Sequence, residues 1–206
     1  MAASDADVRV TGLDDPGAQI PEARAAIAGL VYDAGHDFYD CFGLSHAVLI
    51  EEIGDQVFRP GTEVGSGRIL WADATVAGVM TWVPSAELRG ARAISMAMLL
   101  RRVDAAARPA VSERLAAYAT KIEPLEPAGI YLSRQAMTPD RRGQGLGRRL
   151  LEAVIAEIGD VEVSMHTGRD NQAVVRVYEP IGFRRVSESD YEWQAWVRPS
   201  QSRERG

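Results

Sequence analysis

Cysteine is almost absent from this chain of 206 residues: Cys41 stands alone, so no disulfide can form within the chain, which suits a reducing compartment. Lysine is as scarce. Of 23 basic residues only Lys121 is a lysine; the rest are arginines, the better bidentate partners for phosphate. Three histidines are present, and His36, Cys41 and His46, spaced by five, put no two ligands on one helix face, so no metal site is read here. No apolar run approaches the roughly 18–20 residues of a membrane span, and Met1 to Asp7 is small and acidic, unlike a signal peptide. These absences lead to the expectation of a soluble cytoplasmic protein without a membrane partner.

What is present is ordinary for a globular chain. Hydrophobic residues make up 46% and charged residues 25%, and 19 Gly with 10 Pro follow no period, which excludes extensive disorder, a collagen-like repeat and a coiled coil. The length fits one domain over 11–198 between short flexible tails, 1–10 and 199–206. Charge is uneven. Residues 1–65 hold twelve Asp/Glu against Arg9, Arg24 and Arg59, a net of −9, so the remainder of a chain at −6 carries +3. That balance argues against nucleic acid. The acidic third reads either as a solvated face or as a negative field around a site for a cationic ligand.

Periodicity predicts helices over Ile20–Asp33, Ser45–Ile53, Ala91–Asp104 and Pro109–Ile122, and a hairpin of Gly67–Trp71 with Val76–Pro84. From Gly129 the order is strand (to Met137), glycine-rich loop, helix (Leu146 to Ile158), strand (Val161–Met165), a short helix capped by Asn171 and ending at Pro180, then a hairpin of Phe183–Val186 with Tyr191–Val197. This is a mixed α/β (α+β) pattern.

The chemistry concentrates in Pro139–Leu151. Gly143, Gly145 and Gly147 strip side chains from the place where a strand turns into a helix, exposing the N–H groups of its first turn. With the helix dipole, those groups bind phosphate. Arg141, Arg142, Arg148 and Arg149 surround the loop. A P-loop is excluded because Arg148-Arg149 stand where Lys-Ser/Thr is needed, and a dinucleotide fingerprint because its third glycine would fall on Arg148.

Arg142-Gly-Gln-Gly145-Leu-Gly147 resembles the acyl-CoA pyrophosphate loop of the GCN5-related N-acetyltransferase (GNAT) superfamily. Tyr131 to Pro139 is similar to the strand leading into that loop, and Asn171 to Phe183 to the family's Asn-x7-Tyr-x3-Gly-Phe ending. The resemblance covers about residues 129–186; the hairpin Ile69–Pro84 and the helical insert before Tyr131 are loosely similar to the puromycin N-acetyltransferase-like branch. It implies a mixed central sheet flanked by helices, with two central parallel strands, Gly129–Met137 and Val161–His166, splayed around pantetheine. It also implies an acceptor-side half, 11–128, and an acyl-CoA-binding half, 129–198. By the same resemblance, acetyl-CoA is the co-substrate, no metal is needed, and Met137, Arg142, Gly143, Gln144, Gly145, Leu146, Gly147, Arg148 and Asn171 contact CoA. Tyr178 then protonates the departing thiolate, with core packing as its other reading; Asn171 serves as cofactor contact, helix cap or both.

The implied activity is transfer of an acetyl or short acyl group to a primary amine by direct attack in a ternary complex. The acidic third favours a small cationic acceptor; a protein N-terminal or lysine acetyltransferase and a non-catalytic acyl-CoA-binding module are the alternatives, and many relatives dimerise. Arg134 and Gln135 stand where the family is usually apolar, and they either line the acceptor pocket or face solvent at the splay. Glu51, Glu52, Asp73, Glu87 and His166 are candidate general bases. Tyr32, His36, Tyr39 and Phe42 form either core or an acceptor pocket, and Cys41 reads as a small buried hydrophobe.

Overall fold

Val8–Gly12 (β1), Gly67–Ala72 (β2), Thr75–Pro84 (β3), Ile130–Met137 (β4), Val163–Gly168 (β5), Arg184–Arg185 (β6) and Trp193–Arg198 (β7) form one sheet of order β1-β2-β3-β4-β5-β7-β6. The structure, a computed structural model, describes residues 8–202. All neighbouring strands are antiparallel except β4 and β5, which run parallel.

On one face lie Pro21–Asp33 (α1), His36–Tyr39 (α2), His46–Val57 (α3), Leu88–Arg101 (α4) and Arg108–Ala119 (α5). Ile27, Val31, Ile53, Leu99 and Val111 from these helices pack on Ile69, Trp71 and Val79 of the sheet. On the other face Leu146–Ile158 (α6) and Gln172–Tyr178 (α7) bring Leu150, Leu151, Val154 and Tyr178 onto Leu70, Met80, Leu132, Met165 and Trp196. The 3.6-residue spacing of α6 fixes its buried stripe. In α1 the stripe begins at Ala23. Ile20, expected within it, precedes the helix and is 51% exposed. The mixed sheet flanked by helices is the architecture the resemblance implies.

The loose N-terminal tail expected over residues 1–10 is corrected for its last three. Val8 to Val10 belong to β1, because Val8 and Val10 reach the α6-side core while Arg9 stacks on Trp71 at 4.7 Å. Residues 1–7 and 203–206 of the expected tails lie outside the described residues. At the other end Ser200 is buried, and the Asp160 carboxylate accepts from the N–H groups of Gln201 (2.7 Å) and Ser202 (3.1 Å).

Two irregularities prepare the site. The β2–β3 hairpin turns on Asp73 and Ala74, both left-handed (φ 51° and 59°), the geometry that suits the right-handed strand twist. In β4 the register to β3 jumps: Leu132 faces Trp82 and Arg134 faces Thr81, leaving Ser133 as a bulge. The bulge inverts the alternation, so Tyr131 and Arg134, three residues apart, both reach the helical wall of α1–α5, while Gln135 points to α6 and α7.

Candidate functional site

β4 and β5 pair over three rungs, Ile130–Val163, Tyr131–Ser164 and Leu132–Met165, and then part. Beyond that point β5 continues against β7 and β4 continues against β3. Thr138 N–H donates to Ala77 C=O at 2.9 Å, so strand alternation turns the N–H and C=O of Gln135 and Met137 away from β3, into the gap. The gap is a sheet edge inside a sheet, with polar backbone ready for an extended ligand.

At its end, Gly143 and Gly145 take left-handed φ of 75° and 78°, which a side chain would strain. Gly145 caps α6 without a side-chain bond, and the first helical bond is Arg149 N–H to Gly145 C=O at 3.1 Å. The N–H groups of Leu146, Gly147 and Arg148 therefore have no helical acceptor. A Cβ added at Gly143 or Gly145 would meet nothing within 4 Å, so the space before these N–H groups is open. This cradle fits the diphosphate that the resemblance implies.

The side chains sort themselves around it. Arg142 Nε donates to Met137 C=O at 3.1 Å, Gln144 Nε2 to Asp140 C=O at 2.8 Å, and Arg148 Nε to Glu152 at 2.8 Å. Arg141 is held by Asp73 of the hairpin turn at 2.7 Å. The Leu146 side chain is buried core, leaving its N–H to the cradle. Arg149, expected beside the loop, is instead directed to β1, where Nη2 donates to Val8 C=O at 2.9 Å. Helical rotation explains this: one step beyond Arg148, the side chain points under the sheet.

Across the gap, Asn171 begins α7, its C=O accepting from Val175 N–H at 3.2 Å. Tyr178, 2% exposed, stacks edge-on against Phe183 at 4.9 Å and donates its hydroxyl hydrogen to Gln135 Oε1. Burial pushes its phenol well above the ordinary range, so it remains protonated and keeps a hydrogen to donate. Gln135, expected to line the acceptor pocket or face solvent, also donates from Nε2 to Gly147 C=O at 3.3 Å, tying β4, α6 and α7 together. Arg176 of α7 lines the same cleft and was not anticipated; an arginine on a short helix gives no local signal.

The gap opens into a cleft of about 910 Å³ that continues past the bulge to walls formed by α1, α2, α4 and α5. Here lie Phe38, Glu63, Arg92, Tyr118, Tyr131 and Arg134. Of the aromatic set expected as core or pocket, Tyr39 and Phe42 are buried core, His36 lines the cleft and Tyr32 borders the core. Cys41 is buried, its thiol pushed up by burial, and does not line the cleft. Among the described carboxylates of the acidic third, Asp33 and Glu63 line the cleft, beside Arg92, Arg134, Arg141, Arg142, Arg148 and Arg176. Glu51 and Glu52 instead pair with Arg102 at 3.0 and 3.5 Å, Glu51 exposed and Glu52 buried.

Among the candidate bases, Glu51, Glu52, Asp73 and Glu87 are absent from the cleft lining and His166 is present. His166 Nε2 lies 2.8 Å from the Glu123 carbonyl, which can only accept, so Nε2 carries the proton. Nδ1 is then an acceptor, and the Tyr131 hydroxyl donates to it at 3.0 Å. Burial holds the imidazole below its ordinary value, hence neutral near pH 7. Among the described residues no group of three or more His, Cys, Asp or Glu is placed to hold a metal, and no helix is long and apolar enough to cross a membrane.

The sequence matches the model of the acetyltransferase (GNAT) family over residues 69–183, more than half the chain. The structure is similar to an N-acetyltransferase from Staphylococcus aureus Mu50, with TM-score 0.61 and 18% identity over 86% of this chain and 96% of that one. It is also similar to a crystal structure described as an acetyltransferase, with TM-score 0.58 and 16% identity over 94% and 99%. A third likeness is to histone acetyltransferase HPA2 and related acetyltransferase from Corynebacterium glutamicum ATCC 13032, with TM-score 0.56 and 15% identity over 94% and 97%. At such identities the likeness is one of fold. No curated protein matches the sequence significantly.

Proposed function

The chain belongs to the GNAT acetyltransferase family, and from that premise we propose that it transfers an acetyl group from acetyl-CoA to a primary amine of a small molecule, both substrates bound together. Acyl transfer from CoA to an amine is the general reaction of the family. The observation that carries the reading is the parting of β4 and β5 after Leu132 and Met165, with the Gln135 and Met137 backbone facing the gap and the α6 cradle at its end.

The residues that would hold the co-substrate are the Leu146, Gly147 and Arg148 N–H groups, the bare backbone of Gly143, Gln144 and Gly145, the Arg142 and Arg148 guanidiniums, the Met137 and Gln135 backbone, and Asn171. When bound, acetyl-CoA supplies a thioester whose carbonyl carbon is the electrophile. The Met137 N–H is a fixed donor for the oxygen on which charge develops. Tyr178, kept protonated by burial, is the proton donor for the departing thiolate; its hydroxyl rotates off Gln135 Oε1 to give up the hydrogen. The Tyr131–His166 pair accepts the amine's proton: the phenol oxygen takes it while its own proton passes to Nδ1, and the Glu123 carbonyl steadies the imidazolium through Nε2–H. Positioning of two substrates supplies much of the remaining acceleration.

Walls on the acceptor side from α1, α2, α4 and α5 support a small molecule over an extended peptide. A small cationic acceptor, the expectation from composition, finds little support in a lining richer in arginine than in carboxylate. Thermal unfolding with acetyl-CoA, and with NADH as control, tests the reading. At about 100 times its dissociation constant a ligand of the folded state stabilises by about 2.7 kcal/mol, a shift of several degrees. No shift with acetyl-CoA overturns the assignment.

A further inference from the structure

The acceptor end of the cleft holds two guanidiniums and one nearby buried carboxylate. Glu63 is 8% exposed and accepts from Arg92 Nε at 3.1 Å, while Arg134 Nη1 stands off the same oxygen at 3.9 Å, too far for a hydrogen bond. Arg134 is only 12% exposed and its guanidinium lies over the rings of both Phe38 and Tyr39, at 5.7 and 5.5 Å. Its Nη1 donates to its neighbour's Ser133 C=O at 2.7 Å, and its Nε is buried with no acceptor among the described residues. The fold makes room for this cation: a Cβ on Gly35 would lie 2.5 Å from that Nε. Asp33, exposed at the cleft rim, makes no ion pair with it among the described residues. A desolvated guanidinium without a hydrogen-bonded carboxylate is costly, and one lining a substrate cleft is an anion site.

We propose that the acceptor carries a carboxylate beside its amine, as an amino acid does, and that Arg134, assisted by Arg92, binds that carboxylate. Planar guanidinium donors match a carboxylate in a fork that a lysine could not supply. The spacing suits a small zwitterion. Arg92 lies over the Tyr131 ring at 4.8 Å, and the hydroxyl of that ring is the one bonded to His166. A carboxylate on the arginines thus leaves the amine of the same molecule near the Tyr131 oxygen. The inference rests on the acetyltransferase reading and deepens it.

The test is thiol release from acetyl-CoA with the twenty common amino acids, their carboxamides as matched controls, and putrescine and spermidine. At least one free amino acid should be acetylated with kcat/KM about 10- to 100-fold above its carboxamide, the difference made by a hydrogen-bonded charge. Arg134→Met should raise KM for that substrate by a similar factor while the acetyl-CoA-induced unfolding shift remains. Arg92→Leu, altering a half-exposed side chain, serves if Arg134→Met does not fold. Equal use of carboxamides, preference for the polyamines, or no acetylation of any amino acid by protein that binds acetyl-CoA overturns the proposal. Absence of acetyl-CoA binding instead overturns the acetyltransferase reading itself.

Discussion

Tyr178 donates its hydroxyl hydrogen to Gln135, so the proposed acid on α7 is aimed by a side chain on β4, and Gln135 is aimed in turn by Gly147 C=O in the first turn of α6. Three elements that converge on the gap fix one phenol. A polar residue at a strand position that would otherwise be apolar is explained by this bond.

Tyr178→Phe removes the donor and keeps the ring against Phe183. Loss of general acid catalysis should lower kcat by roughly 100-fold or more, with acetyl-CoA affinity unchanged in calorimetry. An unaltered rate would leave a binding module as the better description.

The loop arginines should divide. Arg142→Ala, at the cradle, should weaken acetyl-CoA binding by about tenfold, a charge-assisted bond's worth. Arg149→Ala should leave that affinity alone and lower the melting temperature by a few degrees, since it loses the bond to Val8 C=O that ties α6 to β1. Equal effects on affinity would mean that the cradle is not where phosphate binds.

His166 gives a pH dependence of definite sign. Burial, its chief cause, depresses the folded-state value below the ordinary 6.5, so the unfolded chain takes up a proton that the folded one refuses. The contribution to stability is fully present above about pH 6.5 and is lost as pH falls through the folded value. Urea midpoints measured from pH 7.5 to 5 should fall, and fall less in His166→Gln. In the wild type the acid limb of kcat should likewise lie below pH 6.5, and the variant should lose it.

Ala74 sits at φ 59° in the β2–β3 turn, where L residues other than Asn and Asp are strained. Ala74→Gly relieves roughly 1 kcal/mol of strain against a smaller entropic loss, so the melting temperature should rise slightly with activity unchanged. A lower melting temperature would count against that account of the turn.

Legibility in the sequence follows the range of the interactions. The loop from Met137 to Arg148 and the run from Asn171 to Phe183 are local, and their elements appear where spacing puts them. β1 was missed because its partner β2 lies some 60 residues on and five residues beside a polar stretch carry little periodicity of their own. Arg134 resisted assignment for another reason. Period-two alternation from Tyr131 puts it on the α6 face, and only the bulge at Ser133 sends it to the acceptor wall. The carboxylates of the first 65 residues left two readings open, because composition counts charge without direction.

The three rungs joining β4 to β5 have a mechanical consequence. They act as a hinge pin between two half-sheets, β1–β4 and β5–β7, and an extended ligand laid in the gap would be the mortar. Without it, the amides of β5, β7 and α7 should exchange with solvent as one cooperative unit, ahead of those in β2 and β3, and ligand should bring the two halves to a common exchange rate. Substrate binding would then be continuous with folding: the last strand of the sheet arrives from solution.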